Sequence, residues 1–316
     1  MVRIGTWNLE SLFRPGGAAG PRTDAAYQAK LAALAAVINV MAPDLLAVQE
    51  VGDPAALVDL AELAEGGWQC PTADPDGRGI RVGFMSRLPL ADVEQVRMFP
   101  AGLRPVQVDD TDTPISEMGR PALRARVQVD GGPVDLVNCH LKSKLLSFPG
   151  GRFATRDEEE RARFGAYALN RRAAEAVTVR AAATGLLSAA SDAGPRVIVL
   201  GDLNDEPAAA TTQIMYGPPG SEIGTAGFDR PDQGDGQRLW NLAARIPALQ
   251  RFSRIYQGRP ELIDHILVSH ALVGLVPDGA VTTDGAGPPP SITDEPGLRR
   301  DAAGSDHRPV IATIDL

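Results

Sequence analysis

The chain has 316 residues, of which 44% are hydrophobic, and it carries 31 Lys and Arg against 40 Asp and Glu. A net charge of −9 argues against a general nucleic-acid coat protein or a membrane-surface binder, because both classes usually carry a positive excess. The hydrophobic content is close to the globular average, so the chain can bury a core and is not intrinsically disordered. Any polyanionic partner must therefore be bound by a local cluster of positive charge.

Two cysteines, Cys70 and Cys139, are too few for a disulfide framework and lack metal-type spacing, so we expect two small buried hydrophobic residues. The N-terminus lacks the basic and apolar regions of a signal peptide, and no stretch reaches the roughly 20 apolar residues that span a bilayer. We therefore expect a cytoplasmic protein without a transmembrane segment, unless a leader was removed. The sequence does not indicate an oligomeric state.

Short apolar runs alternate with longer helical patterns, which predicts an α/β organisation. The predicted strands are, in chain order, 2–8, 44–50, 81–87, 122–129, 134–141, 196–202, 262–269 and 308–315. The predicted helices are 25–41, 54–65 and 157–190. Clusters of Gly and Pro predict surface loops at 15–21, 71–79, 100–105, 217–236 and 284–304. None of these loops separates two segments that each look complete, so we expect a single domain over residues 1–316.

Polar residues follow or interrupt the predicted strands at six places. A strand buried in the core is expected to carry apolar residues there. These places are Thr6-Trp7-Asn8-Leu9-Glu10, Val48-Gln49-Glu50-Val51, Asn138-Cys139-His140-Leu141-Lys142-Ser143-Lys144, Gly201-Asp202-Leu203-Asn204-Asp205-Glu206-Pro207, Leu262-Ile263-Asp264-His265-Ile266 and Ser305-Asp306-His307-Arg308-Pro309. An Asn or Asp after a strand is, taken alone, more often a turn residue or a helix cap. Asp264 is harder to explain in this way, because a buried carboxylate is costly unless a histidine or arginine pairs with it.

Taken together, the six places supply carboxylates, amides and two imidazoles from strand ends, and this inventory is suited to hydrolysis of a phosphate ester. A hard cation such as Mg²⁺ binds carboxylates and substrate phosphate, a carboxylate orients or deprotonates water, and imidazolium and amide donors stabilise developing charge. Zinc fits less well, because the His and Cys residues lack close ligand spacing. A serine hydrolase and a P-loop enzyme are disfavoured, because neither a Gly-x-Ser-x-Gly elbow nor a Walker-type loop occurs.

The two remaining histidines are expected outside this site. His265 follows Asp264 on one predicted strand, and neighbouring strand residues point to opposite faces, so His265 should face away from Asp264. His270 is predicted to be a loop residue.

The six motifs, in this order from Asn8 to Pro309, resemble the endonuclease/exonuclease/phosphatase superfamily, which includes type I deoxyribonuclease, abasic-site endonucleases, neutral sphingomyelinases and inositol polyphosphate 5-phosphatases. The ordered set Trp-Asn, Gln-Glu, His-Leu-Lys, Gly-Asp-Leu-Asn, Ile-Asp-His and Ser-Asp-His carries the resemblance. It implies an α/β four-layer sandwich of two packed mixed sheets flanked by helices. It also implies Mg²⁺ as cofactor, with Mn²⁺ as a substitute, held by Glu50 with help from Asn8 and Asp306.

The resemblance also implies catalytic roles. Asp202 would activate or orient the attacking water, and Asn204 would position the phosphate or the nucleophile. Asp264 would pair with His307, fixing its tautomer and keeping it charged. His140 and His307 would donate hydrogen bonds to the scissile phosphate oxygens. Many members have Tyr or Phe after the strand Asp where this chain has His265, which we interpret as a packing change.

Three basic residues are candidates for substrate binding. Arg120, just before a predicted strand, looks like the arginine that many members direct at the phosphate, although a solvated arginine fits equally well. Lys142 and Lys144 follow His140, and residues 142–172 carry a net charge of +4, whereas the rest of the chain carries −13. This segment either collects a phosphate-rich substrate or forms a salt-bridged helix face.

The leading hypothesis is a Mg²⁺-dependent phosphodiesterase that resembles a nuclease and acts on a phosphate ester, with nucleic acid as one candidate. The acidic remainder of the chain and an aromatic content of 5% argue against polymeric DNA. The alternatives are a phosphomonoesterase of a small metabolite or lipid headgroup, and a catalytically silent binding module of the same fold.

Overall fold

The computed structural model describes residues 1–188, 194–283, 285 and 287–316. Its strands are β1 (Val2–Leu12), β2 (Leu45–Val51), β3 (Arg81–Ser86), β4 (Leu90–Met98), β5 (Glu117–Val129), β6 (Gly132–His140), β7 (Val197–Asp202), β8 (Leu239–Asn241), β9 (Arg254–Tyr256), β10 (Arg259–Glu261), β11 (Asp264–Ser269), β12 (Val281–Thr282), β13 (Ser291–Ile292) and β14 (Val310–Ile314). Its helices are α1 (Asp24–Met41), α2 (Pro54–Leu63), α3 (Glu158–Leu187), α4 (Ala210–Tyr216) and α5 (His270–Val273). Within these ranges, none of the helices has the length and apolar character that crossing a bilayer requires.

Two mixed sheets pack face to face. The first has the strand order β12-β14-β1-β2-β3, and the second has the order β4-β5-β6-β7-β11-β8. Strand β1 is parallel to β2 and antiparallel to β14, while β7 is parallel to β6 and antiparallel to β11. Side chains alternate across β2: Leu45 and Ala47 pack in the core between the sheets, and Leu46 and Val48 pack towards the helices. Burial on both faces explains why these strands read as continuous apolar runs.

Helices cover the outer faces of both sheets. Leu31 and Leu34 of α1 pack with Val48 on the first sheet, and Val179 of α3 packs with Val199 on the second. The longer helices begin at capping side chains that accept backbone N–H groups, namely Thr23, Asp53 and Asp157. The layers are therefore helix, sheet, sheet and helix, which confirms the predicted four-layer α/β sandwich.

The structure contains each predicted strand and helix, with changes at the ends. Strand β1 runs on to Leu12, and β5 begins at Glu117 rather than at residue 122. Residues 189–190 of the predicted 157–190 helix, and residues 284 and 286 of the predicted 284–304 loop, lie outside the described residues. That predicted loop also contains β13. His270 begins the short helix α5 rather than lying in a loop, Cys139 is buried, and Cys70 is only half-buried.

A third, small sheet with the order β10-β9-β13 lies beside the sandwich. Its three strands have only two or three residues each, which is too short for a hydrophobic pattern to be recognised in the sequence. The backbone of Arg254 in β9 forms a bridge with His307, so this small sheet adjoins the last of the six polar motifs.

Candidate active site

Three predicted catalytic residues lie side by side on adjacent strands of the second sheet. His140 is in register with Asp202, and Asp202 is in register with Asp264. Residues paired across neighbouring strands point to the same face, so the sheet register alone brings these three side chains together. Asn8 reaches them from the first sheet, where its Nδ2 donates to Asp202 Oδ2 over 3.0 Å. All four residues are buried.

His307 is held as a cation by Asp264. The ring Nδ1 lies 2.7 Å from Asp264 Oδ2, which is the pairing that the sequence predicted. Burial opposes protonation, but attraction by Asp264, Asp306 and Asp202 outweighs it and raises the pKa of His307 to about 10. Trp7 Nε1 donates to the backbone carbonyl of His307 over 2.9 Å and so holds the His307 backbone in position. A charged His307 therefore has a donor on each ring nitrogen.

His140 is the opposite case. Its Nδ1 lies 2.9 Å from Arg120 Nη1, and an arginine can only donate, so Nδ1 accepts and the ring proton is on Nε2. Burial, followed by repulsion from Arg120 and His307, holds the pKa of His140 well below its usual range. Its Nε2 lies 3.4 Å from Asp202 Oδ2. His140 is thus a neutral hydrogen-bond donor rather than an imidazolium.

Asp202 lies at the centre of this group. Burial and then repulsion by Asp264 raise the pKa of Asp202 to about 6, while His307 and the Asn8 amide oppose the rise. Asp202 Oδ1 accepts the backbone N–H of Asn204 over 2.8 Å, and Asn204 Nδ2 donates to the Leu141 carbonyl over 2.9 Å. The Asp-Leu-Asn turn therefore fixes both side chains at the end of β7.

The predicted metal ligands offer only oxygen atoms. Glu50 Oε2 accepts the backbone N–H and the hydroxyl of Ser11 over 2.9 and 3.2 Å, so the carboxylate is fixed in position. Asn8 Oδ1 accepts one bond, from the backbone of Glu10, and keeps a second lone pair. Asp306 lines the same cavity. Carboxylate and amide oxygens suit a hard cation such as Mg²⁺, so this donor set fits the predicted ion.

A second acidic cluster is less suited to a metal. Asp202, Asp264 and His307 offer ligand atoms within 4.8 Å of one another. A protonated His307 has no free lone pair, however, so we interpret these three residues as a hydrogen-bonded group. Asp264 Oδ1 is buried and has no hydrogen-bond partner among the described residues.

These side chains surround one cavity of about 710 Å³. The predicted site residues that line it are Asn8, Glu50, His140, Lys144, Asp202, Asn204, Asp306 and His307. Asp264 lies behind His307, with none of its surface exposed. His265 faces away, as predicted, because its Nε2 lies 2.9 Å from the Asp205 carbonyl on the helix side of the sheet.

Two predicted substrate-binding residues do not line the cavity. Arg120 lies within β5 rather than before it, is 8% exposed, and contacts His140 and Asp76. Lys142 Nζ turns to the carbonyls of Ser143 and Leu145, over 3.0 and 2.7 Å, and burial lowers the pKa of Lys142 to about 8. The structure therefore places both beside the site rather than in it.

The basic segment 142–172 is mostly neutralised by acidic neighbours. Its paired arginines are Arg152, Arg161, Arg163, Arg171 and Arg172. Lys144 lies 3.2 Å from Asp205 and is the member of the segment whose charge borders the cavity. The positive charge of the segment is thus mostly used in salt bridges, two of which lie within α3.

Glu50 and Asn204 were predicted as site residues and Glu10 and Ser11 were missed, although all four share an unusual backbone conformation. Glu10, Ser11, Glu50 and Asn204 all line the cavity and have φ values of 51°, 54°, 58° and 55°. Non-glycine residues rarely adopt positive φ, and such strain is concentrated at functional sites. A sequence does not show this strain. Arg78, Arg254, Tyr256 and Arg299 also line the cavity and were missed. Arg254 and Tyr256 belong to β9, a strand too short to be recognised in the sequence.

The comparisons with known proteins agree with this architecture. The Endonuclease/Exonuclease/phosphatase family matches residues 5–307. A truncated TDP2 from Caenorhabditis elegans aligns with a TM-score of 0.55 at 16% identity over 99% of this chain and 96% of that chain. The 3' phosphatase NExo from Neisseria, bound to a product DNA hairpin, aligns with a TM-score of 0.53 at 19% identity over 100% of both chains. No curated protein matches the sequence.

The chain belongs to the endonuclease/exonuclease/phosphatase family, because the family match covers nearly its whole length. The members of this family are phosphoester hydrolases, and the solved structures share the deoxyribonuclease I-like sandwich found here.

Proposed function

We propose that the protein is a Mg²⁺-dependent phosphodiesterase that resembles a nuclease. The observation that carries the proposal is the convergence of a charged His307, a neutral His140 and the Asp202 carboxylate on one cavity, with Glu50 also on its wall. Two hydrogen-bond donors and a carboxylate are what attack of water on a phosphate ester requires. The Neisseria relative with a product DNA hairpin favours nucleic acid as the substrate.

In this reaction the water oxygen forms a bond to phosphorus and the P–O bond to the leaving alcohol breaks in line with it. Asp202 orients the water and accepts its proton, and the leaving oxygen takes a proton from solvent. His307 and His140 donate to the non-bridging oxygens, where negative charge develops. Asn204 positions the phosphate beside them. Glu50, Asn8 and Asp306 would hold Mg²⁺, or Mn²⁺ in its place, which when bound supplies charge neutralisation at the phosphate.

Hydrolysis of a panel of substrates tests this proposal. Wild-type protein, His307→Ala and His270→Ala would be incubated with Mg²⁺ and plasmid DNA, RNA, bis-p-nitrophenyl phosphate or p-nitrophenyl phosphate. We expect turnover of the diesters, and a loss of at least about 100-fold in His307→Ala. His270 has a side chain that is 58% exposed and lies outside the cavity, so His270→Ala should retain wild-type turnover.

Two other outcomes would replace the proposal. Turnover of the monoester alone would favour the phosphomonoesterase, a candidate supported by the 3' phosphatase activity in the name of the Neisseria relative. Absence of any turnover with Mg²⁺ or Mn²⁺ would favour a binding module.

A further inference from the structure

The small sheet presents one complete face to the cavity. Strands β9 and β10 form a hairpin whose two turn residues, Gln257 and Gly258, have φ values of 46° and 78°. Positive φ at both positions defines the tight turn that suits the twist of a hairpin. The register pairs Arg254 with Glu261 and Tyr256 with Arg259. These four residues therefore share one face, because side chains alternate along each strand.

That face, and not the opposite one, borders the site. Arg254, Tyr256, Arg259 and Glu261 all line the cavity that contains Asp202 and His307. The residues that alternate with them, 255 and 260, do not line it. The hairpin is therefore a wall of the catalytic cavity whose inward residues are two arginines, a tyrosine and a glutamate.

Arg254 has a donor that no described residue satisfies. Its Nη2 donates to Glu261 Oε2 over 2.7 Å, which holds the guanidinium against the hairpin. Its Nε is buried and has no partner among the described residues. An unpaired buried donor is costly, whereas a phosphate oxygen is a good partner for an arginine. Because the Arg254 backbone bridges to His307, this donor lies beside the catalytic histidine.

Tyr256 offers a fixed aromatic ring next to Arg254. Its hydroxyl donates to Asp294 Oδ1 over 2.8 Å and accepts from Gln257 Nε2 over 3.0 Å. The Arg254 Cζ lies 5.6 Å from the ring centroid. Arg259, opposite Tyr256, is exposed at the outer end of the same face. The hairpin thus presents the Tyr256 ring between the guanidinium groups of Arg254, near the catalytic residues, and Arg259, near the solvent.

We propose that this face, Arg254, Tyr256 and Arg259, binds one nucleotide unit of a single-stranded nucleic acid. Arg254 binds the inner phosphate, Tyr256 stacks on the base, and Arg259 binds the next phosphate outward. An aromatic side chain can stack on any base, and the arginines on either side of it would contact the phosphates of the strand. Such a face binds a single strand whatever its base sequence. A small phosphomonoester at the catalytic residues would not extend to Tyr256 and Arg259. This inference rests on the proposed function for the position of the reacting phosphate.

Binding measured without hydrolysis tests the inference. Fluorescence anisotropy with labelled hexathymidylate in EDTA would compare the wild type with Tyr256→Leu, Tyr256→Phe and Arg259→Gln. We expect Tyr256→Leu to weaken binding at least about fivefold and Tyr256→Phe to retain it, because the phenylalanine keeps the ring. Arg259→Gln should reduce the slope of log K against log salt by about 0.7, the value for one phosphate contact on a single strand. Circular dichroism would verify that each variant is folded.

Arg104→Gln is the matched control, since Arg104 is exposed and lies outside the cavity. Unchanged binding in both Tyr256→Leu and Arg259→Gln, or an equal loss in Arg104→Gln, would overturn the inference. Failure of the wild type to bind hexathymidylate would also overturn it, even if bis-p-nitrophenyl phosphate is hydrolysed. Binding with the expected variant pattern but without hydrolysis of any ester would refute the proposed function and support this binding face.

Discussion

His140 and His307 lie on the same cavity, but their neighbours give them opposite charge states. Arg120 donates to His140 Nδ1 and disfavours a proton there, whereas Asp264 accepts from His307 Nδ1 and favours the charged ring. One histidine is thereby a neutral donor and the other a permanent cation at neutral pH, because the pKa of His307 is raised to about 10. Arg120 thus sets the tautomer of His140 rather than lining the cavity itself.

Asp264→Asn tests the importance of the charge on His307. An amide cannot stabilise the imidazolium as a carboxylate does, so we expect kcat for a diester to fall at least about 100-fold with a smaller change in KM. Steady-state kinetics at pH 7 would measure this change. Asp278→Asn, at an exposed position outside the cavity, is the control. A kcat for Asp264→Asn within about threefold of the wild type would show that the pair is structural only.

At the scale of residues, the sequence was most informative where polar side chains end buried strands. Asn8, Asp202 and Asp264 were predicted as site residues for that reason. Strand register brings Asp202 and Asp264 together, and the packing of the two sheets brings Asn8 to Asp202. Arg120 was predicted to bind substrate from its likeness to the family's arginine, and Lys142 from its position just after His140. The direction of each of these long side chains depends on its neighbours in the folded protein. Arg120 points to His140, and the Lys142 ammonium group points to backbone carbonyls.

At the scale of elements, the spacing of β6 and β7 depends on Gly201, which directly precedes Asp202. Its φ is +145°, and a Cβ there would lie 1.9 Å from the Cys139 carbonyl oxygen. That oxygen is a backbone atom of the neighbouring strand, so it cannot move without shifting β6. The strand pair that carries His140 and Asp202 therefore requires glycine at this position.

Gly201→Ala should lower the free energy of unfolding by about 2 kcal/mol or more, because it combines steric overlap with an unfavourable φ. Gly185→Ala is the matched control. Gly185 lies in α3 with open space where a Cβ would be, so alanine should stabilise the protein by about 0.5–1 kcal/mol. Urea denaturation would measure both variants. A Gly201→Ala protein as stable as the wild type would contradict the role of Gly201 in strand spacing.

Long apolar elements could be predicted from the sequence and the small sheet could not. Strands such as β2 and β7 are buried on both faces, so their composition identifies them. Strand β4 is mostly exposed and mixes apolar with polar residues, and β9 is three residues long, so neither has the continuous apolar run of a buried strand. Strands β4 and β9 are strands because they pair with other strands of the fold, and a short stretch of sequence does not show that pairing.

At the scale of the whole molecule, the two ends of the chain meet in one sheet. Strand β1 pairs with β14, and the core between the sheets contains residues from Val2 to Ile314. We therefore expect residues 1–316 to unfold as one domain. Trp7 packs on the first sheet and Trp240 on the second, so each reports on a different part of the fold.

Single-tryptophan variants, retaining only Trp7 or only Trp240, would measure this cooperativity. Each should show the same urea midpoint by fluorescence as by far-UV circular dichroism, because a single domain unfolds in one transition. Midpoints that differ between probes within one variant would show that the molecule contains two independently stable parts.

Hydrolysis of bis-p-nitrophenyl phosphate by the purified chain, with Mg²⁺ and after EDTA treatment, tests the proposed chemistry most directly. Glu50→Gln, which removes the carboxylate that we assign to the metal, and Glu62→Gln, an exposed control, complete the measurement. We predict turnover with Mg²⁺ in the wild type and in Glu62→Gln, no turnover in EDTA, and a loss of at least about 100-fold in Glu50→Gln. Turnover that persists in EDTA, or that Glu50→Gln leaves unchanged, would contradict the metal-dependent mechanism.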